Sequence, residues 1–258
     1  MLSYRKKVLI LLFSSVIIIS LGWIFDLLNI WWALLLIILN IYALAAGAFR
    51  ICSGLYVSAH CRGETQKPYL ALTFDDGPHT GMTPVILDIL KKNKIKAGFF
   101  LTGKQIINNK YLVRRISNEG HIIGNHSYSH ANTFGFFSTR AVIRDLEKNE
   151  QLIHEITGKK CMLFRPPFGV TNPHIAKAVR YLGYSVVGWS IRSLDTITID
   201  PDMTIKRIKT RLGPGHVILL HDNRLQAAVI LDNIIRIAKE KGYEFVSPDI
   251  LLQLKAYR

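Results

Sequence analysis

Two adjacent carboxylates stand at the end of an apolar run in the segment "YLALTFDDGPHT", residues 69–80. Asp75 and Asp76 end the run, and Gly77 and Pro78 then stop the chain from continuing as a strand. Two like charges in a confined site raise each other's pKa, so this arrangement costs free energy. A bound cation or a proton-transfer reaction would offset that cost, and the pair therefore predicts one or the other.

Other side chains suited to catalysis or metal binding also follow short apolar runs. A single Asp or His at such a place is usually a turn or capping residue. Five runs that each end in such residues are harder to explain in that way, and we expect them to form one shared site. Besides the aspartate pair, these residues are His126 with His130, Arg165, Asp195, and His221 with Asp222.

From Tyr69 onward, apolar runs alternate with helical patterns. "YLALTF", "KAGFFLTG", "HIIGNHS" and "HVILLHD" have the character of strands, whereas "TPVILDILKKN" and residues 139–156 have apolar side chains at helical spacing. This alternation predicts parallel β/α units, and about seven of them would close more readily as a barrel than as an open sheet. Active sites on such barrels lie at the carboxyl ends of the strands, where the polar residues stand.

Five short motifs in this region resemble those of the polysaccharide deacetylases with the NodB-homology domain, carbohydrate esterase family 4. The similarity covers roughly residues 69–247 and keeps the family's motif order. Each motif alone is weakly specific, but all five in order make a strong resemblance. It implies an α/β fold, a distorted (β/α) barrel, and removal of N-acetyl groups from amino sugars. The motifs are "TFDDGP" (73–78), "HSYSH" (126–130), "RPPFG" (165–169), "SLDT" (193–196) and "LLHD" (219–222).

The resemblance also implies a metal site. Asp76, His126 and His130 supply one carboxylate and two imidazoles, a ligand set suited to Zn²⁺, with Co²⁺, Mn²⁺ or Ni²⁺ as alternatives. The His-x-x-x-His spacing would place both rings on one face if this segment were a helical turn. The metal would neutralise Asp76 and leave Asp75 free to act as a base on the attacking water.

The remaining motif residues are assigned to proton transfer and substrate binding. His221 would protonate the departing amine, Asp195 would orient that imidazole and keep it charged, and Arg165 would fix Asp75. A backbone N–H near Phe168 would stabilise the oxyanion. Leu219 would line a small pocket for the acyl methyl group, although an ordinary core leucine explains it nearly as well.

Four positions depart from the family pattern. An acid often precedes the Asp of the fourth motif and an aromatic residue follows it, but Arg192 and Thr196 occupy those places. Phe168 stands where tyrosine is common, and Gly98 stands where threonine is usual. The metal and base residues are intact, so we expect activity. Thr196 removes a platform for a sugar ring and Arg192 adds a positive charge, although Arg192 is equally well explained as a solvent-facing residue.

Two long apolar segments without charges, residues 8–25 and 30–49, precede this region. Each is near the ~20 residues needed to cross a bilayer. Asp26 separates the segments, and three tryptophans around that turn suit an aromatic interface belt. A cleaved signal peptide and a pair of buried core helices are weaker alternatives. We predict a two-helix membrane anchor over residues 1–50, a linker over 51–68 and the deacetylase domain over 69–258.

The charges beside the apolar segments predict an orientation in the plasma membrane, or inner membrane. Basic residues precede the first segment and follow the second, whereas the turn between them has none. By the positive-inside rule, both ends and the catalytic domain would face the cytoplasm, although large domains can cross regardless of charge. The basic residues are Arg5, Lys6 and Lys7 before the first segment and Arg50 and Arg62 after the second.

The net charge and the cysteine content limit the classes of partner and the cysteine pairing that we expect. The net charge of +15 suits an anionic membrane surface or a phosphate-bearing substrate. Nucleic acid is not expected, because Lys and Arg runs interleaved with aromatic residues are missing. Cys52 and Cys61 are able to pair in an oxidising compartment, but free thiols are the preferred interpretation.

The sequence therefore predicts a membrane-anchored, metal-dependent hydrolase that removes N-acetyl or similar small N-acyl groups from amino sugars. One substrate class is a polymer outside the membrane, such as peptidoglycan or exopolysaccharide, which the resemblance favours. The other is a lipid-linked sugar at the cytoplasmic face, which the charge pattern favours. A non-catalytic carbohydrate-binding membrane protein is a further alternative, but a decayed site would be expected to have lost Asp75, a metal ligand or His221.

Overall fold

The computed structural model describes residues 4–24, 29–198 and 200–258. Two helices come first, α1 (Tyr4–Ile24) and α2 (Ile30–Phe49). Asn29 caps the start of α2, because its side chain accepts hydrogen bonds from two N–H groups of the first turn. The helices are linked by Asn40, whose side chain donates to the Ser15 hydroxyl at 2.8 Å.

The prediction of two membrane spans is supported for one helix. Of the described helices, only α2 is long and apolar enough to cross a membrane, and the apolar part of α1, Val8–Ile24, is shorter. The predicted turn around Asp26 lies outside the described residues. A membrane hairpin therefore stays a prediction, and of the two described helices ahead of the domain only α2 has the length and composition of a span.

In the part that the structure describes, nine strands and eight helices follow α2. The strands are β1 (Ala59–His60), β2 (Tyr69–Asp75), β3 (Gly98–Leu101), β4 (Ile122–Asn125), β5 (Leu163–Phe164), β6 (Ser185–Val187), β7 (Ile191–Arg192), β8 (Val217–His221) and β9 (Glu244–Phe245). The helices are α3 (Thr83–Lys92), α4 (Gly103–Asn108), α5 (Lys110–Asn118), α6 (Thr139–Thr157), α7 (Pro173–Leu182), α8 (Pro201–Lys209), α9 (Ala227–Glu240) and α10 (Pro248–Leu252).

The strands form one curled parallel sheet that does not close. Its order is β1-β6-β5-β4-β3-β2-β8-β7, with β9 also paired to β2, and the described parts of β7 and β1 share no ladder. β6 ends at Val187 and β7 begins at Ile191, so these strands lie within about 14 Å of each other. The expected barrel is therefore an open half-barrel, in which residues 188–190 cross the gap.

The central strands are buried because helices cover the outer face of the sheet. In β2, every residue from Leu70 to Asp75 is buried, as expected for a parallel strand covered on both faces. The covering helices turn an apolar stripe inward: Val142, Leu146 and Ile153 of α6 are fully buried. This packing leaves the carboxyl ends of the strands as the place where polar side chains meet.

The segment predicted as a linker, residues 51–68, belongs to the domain. It contributes β1, which pairs with β6, and Arg62 forms an antiparallel bridge with His216. Cys52 and Cys61 form a disulfide, so the preference for free thiols was wrong. The two cysteines meet because the chain turns back after α2 and returns along β6, a fold of the segment that the sequence does not reveal.

The end of α2 is also joined directly to the domain. The Thr171 N–H donates to the Ala48 carbonyl at 2.8 Å, and the Ser53 hydroxyl donates to the Gly47 carbonyl at 2.8 Å. These bonds satisfy carbonyls of the last helical turn that have no partner within the helix. The apolar helix therefore ends against the domain itself.

Candidate active site

The carboxyl ends of the strands surround one cavity of about 190 Å³. The strands are parallel, so their carboxyl ends share one edge of the sheet, and the register places Asp75 of β2 beside His221 of β8. Of the nine predicted site residues, Arg165 and Asp195 are buried behind the cavity wall, and seven line the cavity. These seven are Asp75, Asp76, His126, His130, Phe168, Leu219 and His221.

The two adjacent aspartates occupy different environments. Asp75 continues the strand and is buried, whereas Asp76 has a φ of 74°, which turns the chain out of the sheet. At Gly77 a Cβ would collide with the Asp222 carboxylate, so only glycine fits this turn. The sharp turn separates the two carboxylates and lets them have different partners.

Asp76 is held by two histidines. The Asp76 Oδ1 atom lies 3.2 Å from Nε2 of His130 and 3.5 Å from Nε2 of His126. Burial alone would raise the pKa of Asp76, but the hydrogen bond with His126 and the electrostatic interactions with His126, His130 and His221 outweigh it, and the pKa falls below its ordinary value. Asp76 is therefore a carboxylate anion across the physiological pH range.

These three side chains fit a divalent metal ion. Their ligand atoms lie within 4.8 Å of one another. Two atoms bound at about 2.1 Å to a tetrahedral ion are about 3.4 Å apart, and both Asp76 separations are close to that value. One carboxylate with two imidazoles suits Zn²⁺ and similar ions. The donor set and its spacing therefore match the predicted metal site.

His126 is oriented by a hydrogen bond on its other nitrogen. Its Nδ1 atom lies 2.7 Å from the Arg165 carbonyl, so this nitrogen carries a proton, and Nε2 is the nitrogen that faces Asp76 and would bind a metal ion. Such a bond to the far nitrogen is typical of metal-binding histidines, because it sets the tautomer and the ring orientation. The residue fits the ligand role by its orientation as well as its position.

The second histidine reaches Asp76 through a turn and not through a helix. Residues 126–130 are not helical, and Ser127 and His130 adopt left-handed φ angles of 69° and 43°. The Asp145 carboxylate holds this turn by accepting hydrogen bonds from the N–H groups of Tyr128 at 2.7 Å and Ser129 at 3.2 Å. The condition of a helical turn is therefore not met, yet both rings face one carboxylate.

Asp75 is held by a fully buried arginine. Arg165 Nη1 donates to Asp75 Oδ1 at 2.7 Å and to the Thr73 hydroxyl at 3.0 Å. The rest of the guanidinium donates to the carbonyls of Val187 at 3.0 Å and Gly188 at 2.8 Å. The other oxygen, Asp75 Oδ2, lies 3.8 Å from His126 Nε2, beside the metal ligands. Asp75 is thus a carboxylate of fixed direction at the border of the metal site.

His221 is paired with a buried carboxylate on the other side of the cavity. Its Nδ1 atom lies 2.7 Å from Asp195 Oδ1, and its backbone N–H donates to Asp195 Oδ2 at 2.9 Å. The Ser193 hydroxyl also donates to Asp195 at 2.7 Å. Burial would lower the pKa of His221, but the hydrogen bond and charge of Asp195 outweigh it and raise the pKa above its ordinary value. Asp195 therefore holds His221 through Nδ1 and favours its protonated form, while the ring borders the cavity.

Phe168 and Leu219, predicted for the oxyanion site and the acyl pocket, both line the catalytic cavity. Phe168 has a φ of 59°, and within the described part of the chain no acceptor is bonded to its N–H. Its ring packs against His130 with centroids 4.8 Å apart. Leu219 is 2% exposed and borders the cavity together with Trp189. The chemical roles of these two residues remain predictions.

Several site residues were missed or left without a role by the sequence reasoning. The Trp189 ring lines the cavity, and the Asn223 amide donates to Asp76 Oδ2 at 3.4 Å. Asp222 is fully buried behind Gly77, accepts the Thr83 hydroxyl at 2.6 Å and has a pKa raised to about 7, chiefly by burial. Asp222 closes the fifth motif, so the sequence marked it, but its contact with the turn is visible only in three dimensions.

Replacing His126 by alanine tests the metal site. We expect His126→Ala to lower the affinity for Zn²⁺ by more than ~100-fold, since loss of an outer hydrogen-bond partner alone costs 10- to 100-fold in such sites. The affinity is measured by competition with a chelator, and the metal content after dialysis by elemental analysis. His174→Ala is the matched control, because His174 is exposed and contacts Thr139. Equal affinities of the two variants would contradict the ligand assignment.

Comparisons with known proteins agree with this geometry. A family profile described as polysaccharide deacetylase matches residues 62–187. Peptidoglycan-N-acetylmuramic acid deacetylase PdaA of Bacillus subtilis is 37% identical over 205 residues, which cover 76% of each chain. Peptidoglycan-N-acetylglucosamine deacetylase PgdA of Listeria monocytogenes is 35% identical over 182 residues, 70% of this chain, and the match spans only 38% of that longer protein.

A solved structure shows the same fold. The Bc1960 peptidoglycan N-acetylglucosamine deacetylase superimposes with a TM-score of 0.73 at 33% identity, covering 77% of this chain and 94% of that one. Similarity of this extent, together with the five motifs around one cavity, goes beyond a shared fold. The chain therefore belongs to the polysaccharide deacetylase family, carbohydrate esterase family 4.

Proposed function

We propose that this protein is a membrane-anchored, metal-dependent deacetylase that hydrolyses the N-acetyl group of amino sugars in a cell-wall glycan. The observation that carries the proposal is the pairing of the two proton-transfer residues with separate buried partners. Asp75 is held by Arg165, and His221 is held by Asp195, on neighbouring strands of one cavity. A base and an acid beside a metal ligand set are what amide hydrolysis requires.

The residues of the chain divide the reaction between them. A divalent ion bound by Asp76, His126 and His130 would polarise the acetamide carbonyl and lower the pKa of the attacking water. Asp75 accepts the proton of that water, and Arg165 holds the carboxylate in a fixed position at the cavity. His221 donates a proton to the amine nitrogen as the carbon–nitrogen bond breaks, so acetate and a free amino sugar leave.

The developing negative charge and the acyl group also find partners in the cavity wall. The Phe168 N–H is available as a donor at the rim, and it would stabilise the oxygen anion that forms during attack. Leu219 and Trp189 supply apolar surface of a size suited to a methyl group. We infer an N-acetyl group, or another small N-acyl group, as the group removed.

The names of the relatives support peptidoglycan as the polymer. PdaA is named for N-acetylmuramic acid, and PgdA and the Bc1960 protein are named for N-acetylglucosamine. Thr196 stands at the rim of the cavity in this chain, where the family often has an aromatic residue. We propose an amino sugar of the cell-wall glycan as substrate, and a lipid-linked amino sugar as the second candidate.

Two features support an anchor whose domain faces the outer side of the membrane. The surface of α2 is apolar and largely exposed, with Phe49 71% exposed at its end. The disulfide between Cys52 and Cys61 favours an oxidising compartment, since cytosolic thiols are kept reduced. The flanking basic residues predict the opposite side, but large domains cross membranes regardless of such charges. We propose the outer side of the plasma membrane.

A non-catalytic carbohydrate-binding role remains the alternative class of function. Such a protein has no need for the Arg165–Asp75 and Asp195–His221 pairs, each of which places a charged group in the interior at a desolvation cost. Both pairs are complete here, and both direct their outer member into the cavity. Catalysis requires both pairs, whereas sugar binding alone does not explain why their desolvation cost is accepted.

Replacing Asp75 by asparagine tests the base. We expect Asp75→Asn to lower kcat on an N-acetylglucosamine oligosaccharide by ~10³-fold or more, while Zn²⁺ content is unchanged, because asparagine keeps the shape but cannot accept the proton. Deacetylation is measured by acetate release. Asp88→Asn, at an exposed residue paired with Arg115, is the control for loss of a carboxylate. Turnover near that of the control would rule out the base assignment.

Replacing Asp195 by asparagine tests the acid through its pH dependence. His221 must be protonated to donate, and Asp195 extends its protonated range to higher pH. We expect Asp195→Asn to lower the pKa of His221, so the basic limb of the kcat/KM profile moves to lower pH. Ser193→Ala removes a bond to Asp195 but keeps the carboxylate, and its basic limb should stay near that of the native protein. An unmoved limb in Asp195→Asn would contradict this pairing.

Reporter fusions after Arg258 test the proposed side of the membrane. We expect a phosphatase reporter that folds only outside to be active, and a fluorescent reporter that folds only inside to be dark. In intact cells, Cys52 and Cys61 should react with thiol reagents only after a reductant is added, and this result would agree with the outer-side proposal. A cytoplasmic reporter signal would contradict the outer-side proposal and return the domain to the side that the flanking charges predict.

A further inference from the structure

A second and larger cavity adjoins the catalytic one. Its volume is about 850 Å³, within the range of small-molecule sites, and four arginines line it: Arg50, Arg192, Arg207 and Arg211. We call it the arginine cavity. Phe49 and Ile51, at the end of α2, form another part of its wall. The catalytic mechanism above makes no use of this cavity.

The four arginines lack an acidic partner. No carboxylate lines the arginine cavity, and among the described residues none of the four forms a salt bridge. Arg207 donates its Nε hydrogen to the Arg192 carbonyl at 2.8 Å, which holds it beside the end of β7. Burial and the nearby charges of Arg211 and Arg192 lower the pKa of Arg207. Like charges held close together without a counter-ion provide a site for an anion.

The chemistry of the guanidinium group favours phosphate among anions. Its planar array of donors matches two oxygens of a phosphate at once, and it is the usual side chain where phosphate is recognised. Four guanidinium groups around one cavity carry more positive charge than a single peptide carboxylate would neutralise. A diphosphate, with its several charged oxygens, is the ligand whose charge best matches this cavity.

The arginine cavity shares a wall with the catalytic cavity. Trp189 and Arg192 line both, and the chain at 188–190 crosses the gap of the half-barrel between them. In a 2-acetamido sugar 1-phosphate, the amide and the phosphate stand on neighbouring ring carbons. A sugar with its acetamide at Asp75 has the arginine cavity beside it, and a 1-phosphate directed to that side would reach Arg192.

The position of α2 connects this cavity to the membrane surface. Phe49 and Arg50 mark the point at which the apolar helix ends, and both line the arginine cavity. With α2 in a bilayer, that point lies at the level of the lipid phosphates. We propose that the arginine cavity binds the diphosphate of a membrane lipid that carries the acetylated amino sugar. This inference rests on the proposed deacetylase function and selects the lipid-linked substrate over the finished polymer.

The test compares three substrates with the full chain in detergent micelles. They are a polyprenyl diphosphate N-acetylglucosamine, the nucleotide sugar UDP-N-acetylglucosamine, and a phosphate-free N-acetylglucosamine oligosaccharide. We expect kcat/KM for the lipid substrate to exceed that for the oligosaccharide by at least about tenfold, through KM, as one or two charge-assisted hydrogen bonds would give. Equal kcat/KM values for the lipid and nucleotide substrates would overturn the inference that the carrier is a lipid. If neither substrate had a higher kcat/KM than the oligosaccharide, the whole proposal would be overturned.

Paired variants assign the effect to the cavity. Arg207→Gln with Arg211→Gln removes two charges that lie outside the catalytic cavity, whereas Lys206→Gln with Lys209→Gln removes two charges from the same segment outside the arginine cavity. We expect the first pair to lose most of the tenfold advantage and the second to keep it. An advantage unchanged in the arginine variant would overturn the proposal.

Binding of inorganic pyrophosphate separates this inference from the proposed function. Calorimetry with the Asp75→Asn protein, which should not turn over substrate, is expected to show pyrophosphate binding. Adding Arg207→Gln with Arg211→Gln to this protein should weaken the binding, whereas adding Lys206→Gln with Lys209→Gln should not. If none of the three substrates is hydrolysed, the deacetylase proposal fails, but this measurement still tests whether the arginine cavity binds an anion. If pyrophosphate does not bind, or binds equally to both paired variants, the anion site is overturned even in an active enzyme.

Discussion

The catalytic centre depends on one buried ion pair. Arg165 is completely buried, and such a charge is tolerated only when it is fully bonded. It meets this condition by holding Asp75 and the backbone at 187–188, while its own carbonyl holds His126. One residue therefore links the end of β2, the metal site and the crossing of the half-barrel. Removing the guanidinium would leave all three without their common support.

The fold could be predicted where strands are long and buried. β2 and β8 stand out as apolar runs, and α6 shows clear helical spacing with a cap at Ser138. β1 and β7 are only two residues each and gave no pattern. Closure of the barrel could not be derived either, because the number of β/α units does not state whether the first and last strands meet. Here residues 188–190 bridge the two sides without pairing them.

The side chains of the site could be predicted better than their backbone. Seven predicted residues line one cavity because their motifs follow strands whose carboxyl ends share an edge. The turn at 126–130 could not be predicted, since a spacing of four residues fits a helix as well as a chain bent by left-handed Ser127 and His130. Asp222 and Trp189 act through contacts made by distant segments. Contacts of that kind leave no local pattern in a sequence.

If α2 lies in a bilayer as proposed, the bond between Thr171 and the end of α2 would limit where the domain can act. A catalytic domain on a long flexible tether would sweep through a large volume. This domain is joined to its helix by the bond at Ala48, and the segment after the helix is fixed by the disulfide between Cys52 and Cys61. With α2 in the bilayer, the cavity stays at a constant height above the lipid. Glycan is then modified only during its passage through that layer, so the acetylation pattern of the mature wall would record events at the membrane surface.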